Sequence, residues 1–199
     1  MRLTEQTTTT VLLDGLHDSA NHAAWMVFQE RYVPIMQALA RRLGLHEADA
    51  ADVTQEALVR FLTEYRAGRF NRERGRLRAW LVTILRYRVA DRHRAMWTNR
   101  TVMGGSAVER LPADDELESA WEAEQRQVLL QLAFQRLRED SRLAEQTIRA
   151  FERLVLDERS VAEVAAEFGM TPNDVYVAKS RVLERLRSSM AELDRLYAD

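Results

Sequence analysis

The sequence predicts an all-α protein, built as two helical domains joined by a flexible acidic linker. Three observations carry that expectation. Only 7 Gly and 3 Pro stand in the 199-residue chain against 46% hydrophobic residues, a balance that favours long helices and few turns. Apolar residues recur three and four apart along most of the chain, and no alternating strand pattern competes with them. The longest internal loss of periodicity is "TVMGGSAVERLPADDELES", which holds two Gly, one Pro and an acidic run. The expected domains are therefore 11–100 and 122–199, with a linker at 101–121.

Each element has its own justification. Residues 1–10 end in "TTTT" and lack periodicity, so they are expected to fray. From about Asn21 to Leu43 the residues Trp25, Phe28, Tyr32, Ile35, Leu39 and Leu43 trace one helical face. Pro34 is expected to kink or split that helix, and Gly44 to cap it. The next helix starts at Asp49 and runs to about Tyr65, where "AGRFNRERG" supplies a break. A long helix then spans Arg76 to Trp97, burying Leu77, Trp80, Leu81, Ile84, Leu85 and Val89. Beyond the linker, helices are expected at Glu122–Leu137, Ser141–Leu156, Val161–Phe168 and Pro172–Tyr197.

Several classes of function find no support. The chain has no cysteine, which excludes disulfides and thiolate metal or redox sites. The four histidines show no metal-ligand spacing; His17 and His22 are five apart and do not share a helical face. With no Gly-rich phosphate loop and no nucleophile motif, an enzyme is not expected, nor any metal or cofactor. No signal pattern and no run of about 18 apolar residues appears, so a soluble cytoplasmic protein is the expectation.

The net charge of -2 conceals a segregation of charge. Between Arg60 and Arg100 stand 12 Arg against Glu64, Glu73 and Asp91, a local balance of +9. Between Glu109 and Glu124 stand 7 acids against Arg110, a balance of -6. A polyanion-binding surface beside an acidic connector has this pattern, and so does a solvated arginine-rich helix face.

The most specific stretch is "RSVAEVAAEFGMTPNDVYVAKSRVLERLR", which reads as a helix-turn-helix. Ser160 and Glu163 have capping-box spacing, Gly169 supplies a left-handed turn, and Met170 plugs the core. Thr171 caps the second helix, with Pro172 at its first position. Val175, Val182 or Leu183, and Leu186 then face inward, leaving Asn173, Asp174, Tyr176, Val177 and Ser180 on the open side. Early positions of a recognition helix reach base edges in the major groove. Lys179, Arg181, Arg185 and Arg187 are placed to meet phosphates.

The order of motifs resembles a bacterial sigma factor of the extracytoplasmic-function group. It runs from "DAADVTQEALVRFL" through "GRFNRERGRLRAWLVTILRYRVADRHR" to an acidic linker and a helix-turn-helix. The resemblance covers about Asn21 to Leu193, and it implies binding to core RNA polymerase and to promoter DNA. The Asp49–Arg66 helix would dock on the polymerase clamp. The segment Arg69–Arg94 would recognise and open the -10 element, and the helix from Pro172 would read the -35 element. The linker would thread toward the polymerase active site, though a soluble spacer has the same composition.

Melted DNA is held by cationic grooves with aromatic stacking platforms. Arg69, Phe70, Arg72, Arg74, Arg76, Arg78, Arg86, Tyr87, Arg88, Arg92 and Arg94 supply both ingredients; Trp80 and Trp97 could stack too, but Trp80 lies on the apolar stripe and reads first as core. On the docking helix, Val53, Ala57, Leu58, Phe61, Leu62 and Tyr65 form the buried stripe. Thr54 falls inside it, and its hydroxyl is expected to bond back to a carbonyl one turn earlier. Asp52, Gln55, Glu56 and Val59 form the opposite face, the expected polymerase contact, together with Thr63.

Many relatives of this kind carry an acid where Ala51 stands, which leaves the face short of negative charge. A phosphate on Thr63 would add about -1.5 to -2 charges. Arg60, three residues earlier, suits a basophilic kinase. Some similar groups are switched by a Ser/Thr kinase instead of an anti-sigma factor, so either is an expected controlling partner. An ordinary solvent-facing threonine explains Thr63 equally well. The competing function is a helix-turn-helix regulator that binds duplex DNA without replacing a sigma subunit.

Overall fold

The computed structural model describes residues 9–70, 75–98, 111–139 and 143–198, all of them helix, turn or irregular chain with no strand. Eight α-helices follow in order: α1 (Thr9–Leu16), α2 (His22–Arg42), α3 (Glu47–Arg66), α4 (Leu77–Thr98), α5 (Asp114–Glu139), α6 (Glu145–Phe151), α7 (Val161–Phe168) and α8 (Pro172–Tyr197). A wider π-helical turn, Glu152–Leu156, continues α6. None of these helices is long and apolar enough to cross a membrane. The chain divides into two compact units, 1–128 with 196–199, and 129–195.

The first unit is organised around aromatic rings. Phe28 of α2 and Phe61 of α3 are fully buried and stack at 4.8 Å with planes 6° apart. Offset stacking of this kind adds to the area that two large rings remove from water. Leu12 and Leu16 of α1, Ile35, Met36 and Leu39 of α2, and Leu77, Leu81 and Leu85 of α4 close around them. Tyr65 places its ring in this core and its hydroxyl on the Leu13 carbonyl, 2.9 Å away. Arg66 donates to the Leu16 carbonyl at 3.0 Å, satisfying one of the orphan acceptors at the end of α1. Gly15 is required by close approach, since a Cβ there would stand 2.9 Å from that of Ala24.

One buried charge is built into this unit. Arg31 is 1% exposed, donates to the Leu196 carbonyl at 2.7 Å, and lies 4.8 Å from the centre of the Tyr197 ring. A cation at a helix C-terminus meets carbonyls that have no partner within the helix, which is what makes this burial tolerable.

One core cluster of the second unit is built of small residues. Ala150, Val164, Ala165, Val175 and Ala178 form its centre, with Leu154, Val161, Phe168 and Met170 packed around them. Its helix ends are closed by side chains. Ser160 accepts from the Glu163 N–H, and the Glu163 carboxylate accepts from the Ser160 N–H at 2.9 Å, a complete capping box. Gly169 ends α7 at φ 63°, ψ 32°, the left-handed conformation expected of it.

Four expectations are corrected. α1 replaces part of the expected frayed terminus, because Leu12, Leu13 and Leu16 give it a buried face. α2 runs through Pro34 as one helix; the ring and Glu30 are both exposed, so water can serve the carbonyl that proline leaves unbonded. α6 starts at Glu145, later than expected. Most consequentially, α5 starts at Asp114, so residues 114–121 of the expected flexible linker are helix. Asp114, Asp115 and Glu116 suit the positive end of a helix, and Leu117 and Trp121, one turn apart, are buried. The compact units accordingly divide inside α5, after Val128, and not within 101–121. Residues 101–110 of that linker lie outside the described residues.

Candidate nucleic-acid interface

α3 separates its two faces as helical projection requires. Val53, Ala57, Leu58, Phe61 and Tyr65 are buried, and Leu62 is half-buried. Asp52, Gln55, Glu56, Val59 and Thr63 are all exposed. Val59 is 64% exposed, an apolar residue held in water by its polar neighbours' side of the helix. Thr63 donates its hydroxyl to the Val59 carbonyl at 2.8 Å. Arg60 is drawn toward Glu64, Nε to Oε1 at 2.5 Å, on the same stretch of surface.

Thr54 departs from expectation. It is fully buried, and its hydroxyl has no hydrogen-bond partner. Thr63 and Thr83 stand on open faces and make the bond to a carbonyl one turn earlier. At Thr54 the surrounding core sets the rotamer instead, and a threonine has only two good ones in a helix.

The arginines assigned to a nucleic-acid groove fall into different environments. Arg76 is exposed, with no ion-pair partner among the described residues, and Arg69 is exposed with Glu64 at 3.5 Å. Tyr87 of α4 is 56% exposed. Arg94 donates to Asp91 at 2.9 Å, and Arg88 lies 3.9 Å from the same carboxylate. Arg92 spans Asp49 and Asp52 of α3, each at 3.3 Å, so it ties α4 to the first turns of α3. His93 adds a second tie, donating Nε2–H to the Leu43 carbonyl at 3.0 Å. Arg72 and Arg74 lie outside the described residues.

Arg78 and Arg86 are not open to solvent. Arg78 reaches Glu122 at 2.8 Å and Glu118 at 3.4 Å, and its side chain is only 17% exposed. Arg86 pairs with Asp114, at 18% exposure. All three acids stand one turn apart on the first half of α5, which is also where Leu117 and Trp121 are buried.

Beside the first turns of α4 lies a cavity of about 260 Å³, lined by Arg69, Phe70, Gly75, Arg76, Ala79, Trp80 and Thr83. Phe70 and Trp80 stack at 5.1 Å with planes 9° apart, and Trp80 meets Phe61 edge-on at 5.2 Å. Trp80 is therefore half core and half cavity wall. Its place on the apolar stripe makes core the first reading from sequence, with stacking the alternative. A tryptophan two turns from Tyr87, following a Phe between arginines, was the available signal.

In the second unit, Gly169, Met170 and Thr171 turn the chain from α7 into α8. Asn173, Tyr176, Val177, Ser180 and Arg181 are exposed along the first turns of α8, while Lys179 and Arg185 are half-buried. Asp174 is exposed, but its carboxylate is committed. It accepts from the Thr171 hydroxyl at 2.7 Å and from the Thr171 N–H at 3.0 Å, and these bonds hold it below the ordinary aspartate range. The Thr171 hydroxyl in turn accepts from the Asp174 N–H at 3.2 Å. Asp174 caps the helix that presents its neighbours.

Residues 28–98 match the family model described as Sigma-70 region 2. The match takes in most of α2 and all of α3 and α4, including the exposed α3 face and the cavity beside α4. A sigma-70 region 2 domain is thus present, and it supports a role in RNA polymerase binding and transcription initiation. No curated protein and no solved structure matches the chain.

Proposed function

We propose that this protein is a sigma factor of the extracytoplasmic-function kind, which binds core RNA polymerase and directs it to promoters. The observation that carries the reading is the pairing, within one region 2 match, of an exposed α3 face with an arginine-rimmed aromatic cavity. Asp52, Gln55, Glu56 and Val59 are the polymerase contact. Val59 gives that contact an apolar centre that a clamp surface would remove from water.

Arg69 and Arg76 flank the cavity and take the phosphates of the melted strand, while Phe70 and Trp80 receive an unstacked base. Stacking of that kind contributes about 1–3 kcal/mol per base. Tyr87, Arg88 and Arg94 extend the same surface along α4 for the -10 element. Asn173, Tyr176, Val177, Ser180 and Arg181 of α8 read the -35 element, with Lys179 and Arg185 on phosphates. Asp174 holds the start of α8 in place.

Thr63 is the regulatory position in this reading. Its exposed hydroxyl stands one turn beyond Val59, and a phosphate there would restore the negative charge that Ala51 does not supply. A Ser/Thr kinase is then the controlling partner; with Thr63 unmodified in cells, an anti-sigma factor takes its place. Capture of core polymerase by wild type, Thr63→Ala and Thr63→Glu tests this, with Glu expected to bind best and Ala worst. Equal capture by all three, with no phosphate on Thr63 in cells, removes the switch and leaves the sigma reading standing. A gel shift on promoter duplex with and without core enzyme tests that reading itself. Tight binding by the chain alone would favour a regulator that acts without polymerase.

A further inference from the structure

The expected -10 surface is partly occupied. Asp114, Glu118 and Glu122 form a ladder of carboxylates one helical turn apart along the first half of α5. Glu118 and Glu122 hold the two ends of the Arg78 guanidinium, at 3.4 Å and 2.8 Å, and Asp114 holds Arg86. Arg78 and Arg86 are two turns apart on α4, so the ladder runs alongside that helix and matches its cation spacing. The fit is fixed by packing as well as charge. Leu117 and Trp121 lie between the acids and are buried, and the Trp121 ring sits 6.4 Å from that of Tyr32. Glu124 adds a pair to Arg42 of α2 at 3.2 Å.

We infer that the first half of α5 is an intramolecular competitor for nucleic acid, an acidic cover that occupies two of the arginines a melted strand would use. The inference rests on the reading of α4 as a DNA-binding helix. A row of carboxylates at helical spacing offers arginine the same acceptor chemistry as a phosphate backbone. A guanidinium held between two carboxylates cannot grip a phosphate until they leave. Arg69 and Arg76, outside the ladder, stay available, so the free protein keeps a weak grip on single strands and the covered arginines would strengthen it.

The cover has a simple test, in full-length protein with a fluorescent single-stranded DNA of mixed sequence at low salt. The variant Asp114→Asn/Glu118→Gln/Glu122→Gln keeps side-chain size and leaves Leu117 and Trp121 in place. It is expected to bind roughly five- to thirtyfold tighter than wild type, the gain that three released ion pairs would produce. Adding Arg78→Gln and Arg86→Gln to that variant should return affinity to near the wild-type level. Hydrogen exchange across 114–128 shows whether the cover is still docked in each variant. Unchanged affinity in the neutralised variant, with binding still lost on Arg69→Ala/Arg76→Ala, would overturn the cover while leaving α4 as a DNA-binding surface. Failure of every variant to bind single strands, alone or with core polymerase, would remove both.

Discussion

The two units are stabilised by different means, and the contrast explains why one was easier to read than the other. The first unit is held by large rings from distant parts of the chain: Phe28 stacks on Phe61, Phe61 meets Tyr65, and Tyr32 bridges Phe28 to Trp121, more than ninety residues away. The second centres on alanines and valines, with its helix ends closed by neighbouring side chains. Small residues bury little apolar area each, so caps and turn geometry carry a larger share of stability there. All four tryptophans (25, 80, 97 and 121) fall in the first unit. Their fluorescence reports on that unit alone, which lets the two be compared within one protein.

The sharpest way to break the comparison is to remove a ring. Phe61→Ala should destabilise the first unit by about 3–5 kcal/mol, since it opens a cavity at the centre of a ring cluster. Tryptophan fluorescence in a urea titration should show the midpoint fall, while hydrogen exchange in α7 and α8 stays unchanged. At the small-residue centre of the second unit no side chain has that volume, and the turn backbone is the more exacting point. Gly169→Ala forces a side chain into φ 63° and should cost about 1–2 kcal/mol, read as faster exchange in α7 and the first turns of α8. Space is not the obstacle, because nothing lies within 4 Å of a Cβ built there.

Acid should separate the units further. Hydrogen bonds from Ser160 hold Glu163 below its ordinary 4.5, and those from Thr171 hold Asp174 below its ordinary 3.8. Both folded values are lowered, so this contribution is fully present above the ordinary carboxylate range and is lost as pH falls below it. Protection of the amides at the starts of α7 and α8, measured against the intrinsic exchange rate at each pH, should therefore fall on acidification from about pH 5 toward pH 3. Glu163→Gln and Asp174→Asn should flatten that response. The smallest effect has the opposite sign. Thr54→Val removes a buried hydroxyl with no partner and should stabilise the first unit by up to about 1 kcal/mol.

What the sequence disclosed follows the same division. The turn at Gly169, the Ser160–Glu163 box and the inward residues of α8 were legible because each depends on residues within one or two turns. The faces of α3 were legible for the same reason. Contacts between distant elements were not. Periodicity showed arginines on α4 but not that Arg78, Arg86 and Arg92 face carboxylates from α5 and α3. The acidic run after Pro112 read as linker, because its charges outnumber Leu117 and Trp121; those two only count once a surface exists to bury them. Asp174 looked like a base-reading residue until its cap was seen. Helical spacing assigns a residue to a face, and only the folded chain says what that face meets.

A sigma factor of the proposed kind programmes core RNA polymerase to start transcription at particular sites. The direct measurement is to add it, phosphorylated and unphosphorylated, to core enzyme with fragmented bacterial genomic DNA and to sequence the 5′ ends of the transcripts. The expected result is a discrete set of start sites sharing two upstream elements, absent with core enzyme alone and weakened by Asp52→Lys/Glu56→Lys. No new start sites with either form of the protein, together with tight binding to duplex DNA in the absence of core, would contradict it.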